Sequence, residues 1–261
     1  MNRLEKQLTE LNNKKQKGLV LYISAGDPDL DTTLEIMNAL AENGVDCIEL
    51  GVPFSDPIAD GPVIQRASQR ALENDINLDS ILGLVRKFRQ KYATPVLLMG
   101  YYNSFYQYGL ETFTGSFQTA GGDGLIIADL PWEESEELEG YCSLNDLSLI
   151  RLLAPEMNNE RTQSILRSAN GFIYCVSNYG TTGADSGENA ELKEIIQSFR
   201  QETDTPVAIG FGISSVDKAV AAANMADCVI VGSWLIAELE KATNKPARAA
   251  EFTSTLKKAL G

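Results

Sequence analysis

The chain has 261 residues, 44% of them apolar, which is enough for one large core or two modest ones. Its 36 acidic and 22 basic side chains give a formal charge of −14, so nucleic acid and anionic membranes are not expected as partners. It contains no histidine, which excludes a Ser-His-Asp triad, a Cys-His pair and any histidine-ligated metal.

The N-terminus, MNRLEKQLTE, lacks the apolar core of a signal peptide, and no segment approaches membrane-spanning length. A cytoplasmic protein is expected. A first short helix precedes the only basic run, NKKQKG at 13–18, which reads as a solvated joint. Short apolar runs then follow at 19–24 (LVLYIS), 47–50 (CIEL), 95–99 (PVLLM), 124–128 (GLIIA), 147–153, 172–177 (FIYCVS), 206–210 (PVAIG) and 227–231 (DCVIV). Each is too apolar to leave one face in water, as expected of parallel strands covered by helices.

Helical patterns separate these runs. DTTLEIMNALAEN has Asp31 as its N-cap and stops at Gly44. The second connection holds two helices, PVIQRASQRALEN and LDSILGLVRKFRQKY, and the third holds one, ETFTGSFQTAG. EESEELEGYCSLN, NERTQSILRSAN, NAELKEIIQSFRQE and SSVDKAVAAANM follow, and the tail from Leu235 is a last helix broken before Pro246. Eight β–α units in about 250 residues have the rhythm of a (β/α)₈ TIM barrel of the α/β class. A doubly wound open sheet competes, but no crossover excess favours it. With no linker-like segment, residues 1–261 read as a single domain with an extra N-terminal helix. Cys47, Cys142, Cys175 and Cys228 form no C-x-x-C pair, and three lie in apolar runs, so they read as buried, reduced thiols.

A barrel places its chemistry at the strand C-terminal ends. Glu49 lies one residue before the end of the second strand, with apolar neighbours on both sides. It is either half of a structural ion pair or a general acid/base whose pKa is raised by desolvation. The loop after it, ELGVPFSDPIADGP, is stiffened by Pro53, Pro57 and Pro62 and carries Asp56 and Asp60. Asp60, before Gly61-Pro62, is either a turn residue or a second acid, whereas Asp56 reads as a turn former. Asp129 sits at the fourth strand exit, where orienting a neighbour is as plausible as chemistry. Tyr22, Tyr101, Tyr102 and Tyr174 lie at strand ends and would give the mouth an aromatic lining. GFGIS (210–214) and Gly232-Ser233 follow the seventh and eighth strands and open helices, where backbone N–H groups can hold a phosphate. SNYGTTGADSGEN (177–189) is long for a βα connection, and reads as a surface loop or as a lid that brings Thr182 or Gly183 to a ligand.

These motifs, ELGVPFSDPIADGP together with AGDP near Asp27, IADLP-EES around Asp129, S-x-x-G-x-TG at 177–183 and GFGIS, resemble in order the tryptophan synthase α-subunit family over nearly the whole chain. The resemblance implies a (β/α)₈ barrel and a lyase performing the retro-aldol cleavage of indole-3-glycerol phosphate to indole and glyceraldehyde 3-phosphate. It implies an α₂β₂ assembly in which indole passes to a β subunit. Pyridoxal phosphate is expected only in that partner, with no cofactor in this chain. It makes Glu49 and Asp60 the catalytic pair and Tyr22, Tyr101, Tyr174, Thr182, Gly183, Phe211, Gly212, Gly232 and Ser233 the substrate contacts, with phosphate on the glycines and Ser233. Three positions depart from the common pattern: Ser104 replaces proline, Asn178 replaces arginine and Tyr22 stands where phenylalanine is frequent. Two alternatives stay open: another phosphate-binding barrel enzyme of aromatic or thiamine biosynthesis, and a non-catalytic activator of a β subunit.

Overall fold

The apolar runs become strands whose side chains are almost all buried, because each strand has hydrogen-bonded neighbours at its edges and packed groups on both faces. The computed structural model describes residues 1–154, 160–176, 186–210 and 212–261, with backbone alone for 186–190. Among them are nine parallel strands: β1 Gly18–Ser24, β2 Cys47–Gly51, β3 Val96–Gly100, β4 Gly124–Ile127, β5 Ser148–Leu149, β6 Arg151–Leu153, β7 Ile173–Cys175, β8 Val207–Ile209 and β9 Cys228–Val231. Their order is β5-β4-β3-β2-β1-β9-β8-β7-β6. The two ends of that order, β5 and β6, are consecutive pieces of the single expected strand, interrupted only at Ile150. Nine segments therefore occupy eight strand positions, and the sheet closes into a (β/α)₈ barrel.

The surrounding helices are α1 Arg3–Lys14, α2 Leu30–Glu42, α3 Pro62–Leu72, α4 Leu78–Arg89, α5 Tyr102–Tyr108, α6 Leu110–Ala120, α7 Glu136–Leu144, α8 Glu160–Ser168, α9 Ser186–Glu202, α10 Val216–Ala223, α11 Ser233–Lys241 and α12 Lys245–Leu260. Three expectations change. The N-cap of α2 is Asp29, not Asp31: its backbone is extended and its carboxylate accepts the Thr32 N–H at 2.6 Å. The third connection holds two helices, since α5 precedes α6 across Gly109, whose φ of +90° suits glycine. The helix expected from Asn189 begins at Ser186, so residues 186–189 of the expected loop are helical, and 177–185 lie outside the described residues. The tail breaks as expected, with Asn244 capping α12 just before Pro246.

Alternate strand residues point into the barrel. Val20, Cys47, Leu97, Ile126, Ile150, Phe172, Ala208 and Cys228 form its interior core, and Leu4 and Leu8 of α1 join them. α1 is fixed there by an Asn2–Glu5 capping box and by the Asn2 amide donating to Ser148 Oγ at 2.9 Å. The cysteines are all buried and free. No helix among the described residues is long and apolar enough to cross a membrane.

Candidate active site

Moving two residues on from each interior position, toward the strand C-termini, leads out of the core. Val20 gives Tyr22, Cys47 gives Glu49, Leu97 gives Met99, Ile126 gives Ala128, Ile150 gives Leu152, Phe172 gives Tyr174, Ala208 gives Gly210 and Cys228 gives Ile230. All eight line a cavity of about 430 Å³, closed on its other sides by Asp60, Ile64, Gly212, Gly232 and Ser233. The strand period has thus put one carboxylate and two phenols into an otherwise apolar cup.

Glu49 is only 1% exposed, and its Oε2 has no hydrogen-bond partner. No cation faces it, so the ion-pair alternative fails among the described residues. Burial first, and then the Asp60 charge, raise its carboxyl from 4.5 to about 8. Asp60 is half-buried, and desolvation also raises its carboxyl, although the nearby Tyr101 hydroxyl opposes that rise. Burial, reinforced by the carboxylates, pushes the Tyr22 and Tyr174 phenols upward, so both remain neutral donors. Tyr22 lies over Gly51, where an added Cβ would stand 2.1 Å from its hydroxyl. Tyr174 lies in the same way over Gly210, where the distance would be 2.3 Å.

Asp60 owes its position to the loop and to α3. The Ala59 N–H donates to the Tyr101 hydroxyl at 2.9 Å, and Tyr101 stacks on Phe54 with ring centroids 5.0 Å apart. From α3, Gln65 donates to the Asp60 carbonyl at 2.9 Å, and Ser68 Oγ accepts the Phe54 N–H at 2.9 Å. Tyr101, expected to touch substrate, therefore sits behind the loop and is not among the cavity-lining residues; its burial and Asp60 push its phenol up to about 12. Tyr102 and Asp129 are also off the cavity, and the Asp129 carboxylate instead accepts the Tyr102 N–H at 2.7 Å. Asp56 accepts from Ser55 Oγ at the exposed loop surface.

The opposite side of the cavity is polar backbone. α10 is capped by its own Ser215, whereas α11 starts at Gly232 with no side-chain cap, leaving its first N–H groups for a ligand. Gly212, with a φ of +74°, faces the same space. Thr182, Gly183, Phe211 and the Asn178 departure lie outside the described residues. Sequence reading missed the apolar wall of Ile64, Met99, Leu152, Val176 and Ile230. For all but Ile64, which comes from α3, parity with the interior core was the signal that could have found them.

Comparison with known proteins matches residues 8–260 to the family model described as tryptophan synthase alpha chain. The chain belongs to that family. Tryptophan synthase alpha chains of Geobacter sulfurreducens and Alkaliphilus metalliredigens are 42% and 44% identical, over 100% and 92% of this chain and 100% and 90% of theirs. The Legionella pneumophila alpha subunit superposes with a TM-score of 0.92 at 38% identity, covering 100% of this chain and 98% of that one. A chain of M. tuberculosis tryptophan synthase gives 0.89 at 30% identity, with 100% and 99% covered. Tryptophan synthase alpha chains are carbon–carbon lyases of tryptophan biosynthesis that cleave indole-3-glycerol phosphate, and this chain is such a lyase. Membership also implies partnership with a β subunit.

Proposed function

We propose that Glu49 and Asp60 carry the cleavage and that the uncapped start of α11 holds the substrate's phosphate. The observation that carries this reading is the Glu49 carboxyl: dry, without a partner on Oε2, and raised to about 8, so that it enters the reaction protonated at neutral pH. It gives its proton to indole C3, leaving a carboxylate and a cationic indolenine. Asp60 accepts the ring N–H and stabilises that charge. The Glu49 carboxylate then removes the proton of the 3′-hydroxyl. The C3–C3′ bond breaks, its electron pair returns to the ring, and indole, glyceraldehyde 3-phosphate and a protonated Glu49 result.

The neutral phenols of Tyr22 and Tyr174 and the wall of Ile64, Met99 and Leu152 suit a flat heterocycle. Gly212, Gly232 and Ser233 suit a phosphate, joined by Gly183 and with Thr182 and Phe211 at the ligand. Tyr101 serves the substrate indirectly, through Asp60. We further propose a single-domain, cytoplasmic chain in an α₂β₂ assembly, with pyridoxal phosphate in the partner alone. The test is cleavage of indole-3-glycerol phosphate by the full chain with and without added β subunit, in wild type and Glu49→Gln. Indole released by wild type, with a loss of about 10²–10⁴-fold or more in the variant, is expected. Equal rates would remove Glu49 from the mechanism, and no indole from wild type even with β subunit would overturn the reading.

A further inference from the structure

The two ends of the cavity are built by helices that are not sheet neighbours. Asp60 stands just before α3, which follows β2, and the anion end is the start of α11, which follows β9. β1 lies between β2 and β9 in the sheet, and its exit loop carries Asp27. One side chain meets all three units. Arg70 of α3 grips Asp27 with a bidentate fork, Nε and one terminal nitrogen each donating at 2.8 Å, and its other terminal nitrogen donates to Glu240 of α11 at 2.9 Å. Arg66, one turn earlier, bonds the other oxygen of Glu240 at 3.1 Å. Asn74, just past the end of α3, donates to the Pro28 carbonyl at 2.5 Å and so fastens the same loop. While Arg66 and Arg70 make this bracket, Gln65 and Ser68 of the same helix hold the Asp60 loop.

We propose that Arg70 is a positioning residue: by bracketing α3 and α11 to the β1 exit loop it fixes the span between the Asp60 end of the cavity and its anion end. This rests on the assignment of the two ends made under Proposed function. An exposed ion pair contributes little to stability, but a planar fork on a half-buried carboxylate sets geometry. The bracket should therefore matter most to a ligand that bridges both ends, because only such a ligand senses their separation.

The experiment compares Kd values of the full chain for indole, for glycerol 3-phosphate and for a non-cleavable indole-3-alkyl phosphate that spans both ends. Arg70→Met should weaken the spanning ligand roughly tenfold or more and leave each fragment within about twofold, while kcat for indole-3-glycerol phosphate falls by up to about 10²-fold. Arg70→Lys keeps the charge but not the fork, and should remain defective. Glu240→Gln leaves the Asp27 fork intact and loosens only α11, which supplies the same comparison should Arg70→Met fail to fold. Fragments losing as much as the spanning ligand, or a wild-type-like Arg70→Lys, would overturn the inference. A wild-type chain that binds the spanning ligand no better than its fragments would overturn the two-ended reading, and the inference with it.

Discussion

Replacing Glu49 by glutamine should make the protein slower and, at alkaline pH, more stable. In the unfolded chain this carboxyl ionises near its ordinary 4.5, whereas burial and Asp60 hold it protonated to about 8 in the fold. Between those values the folded state binds more protons than the unfolded state, so wild-type stability declines as pH rises through the interval. Below 4.5 the group is neutral in both states and contributes no loss; above about 8 the full cost of a dry carboxylate is present. At about 1.4 kcal/mol per pH unit, the interval from 4.5 to about 8 amounts to a cost on the order of 5 kcal/mol. Glutamine has nearly the same shape and no charge to desolvate. Urea unfolding of both proteins at pH 4 and pH 9 should therefore show similar stability at the acid end and a more stable variant, by several kcal/mol, at the alkaline end. Taking the difference between the two proteins cancels the other carboxylates, which they share. A gap that does not widen with pH would refute the claim that Glu49 is kept dry, and with it the reason for its proposed role as an acid at neutral pH.

The same protonation scheme predicts the activity profile. kcat/KM should fall above about pH 8 as Glu49 loses its proton, and on the acid side at a value above the ordinary 3.8, where Asp60 becomes neutral. A flat alkaline limb to pH 9.5 would contradict it. Asp60→Asn should cut kcat severely without abolishing binding, since an amide oxygen can still accept the ring N–H but offers no charge, and a fully active Asp60→Ala would exclude Asp60 from the mechanism. Ser233→Asp places a carboxylate at the start of α11, and the Kd for glycerol 3-phosphate should rise roughly 5- to 30-fold, from about 1–2 kcal/mol of lost anion stabilisation. An unchanged Kd by calorimetry would move the phosphate elsewhere.

Much of this fold was legible because parallel strands covered on both faces leave unbroken apolar runs, and all eight runs occupy strand positions. The failures were local. Asp29 and Asp31 are chemically the same N-cap, and the choice between them lies in the backbone of residue 29, which is extended. α5 hid in YYNSFYQY because its apolar residues are aromatics of weak helix propensity, so neither period nor composition marked it. Glu49 was legible for the opposite reason, as a charge inside an apolar strand that needs an explanation.

What sequence could not give is the direction of the tyrosines. Tyr22, Tyr101 and Tyr174 all stand at strand ends and look equivalent along the chain. Two of them enter the cavity because a glycine on the neighbouring strand leaves room for the ring: Gly51, paired in register with Ser24, for Tyr22, and Gly210, at the exit of β8, for Tyr174. Tyr101 follows a strand whose last inward residue is Met99, turns into α5 and comes to rest under the Asp60 loop. The deciding partners are distant in sequence, 29 residues for Tyr22 and Gly51 and 36 for Tyr174 and Gly210, and only the closed barrel brings them together. A tyrosine at a strand end thus becomes a cavity wall or a loop support according to the size of a residue on another strand.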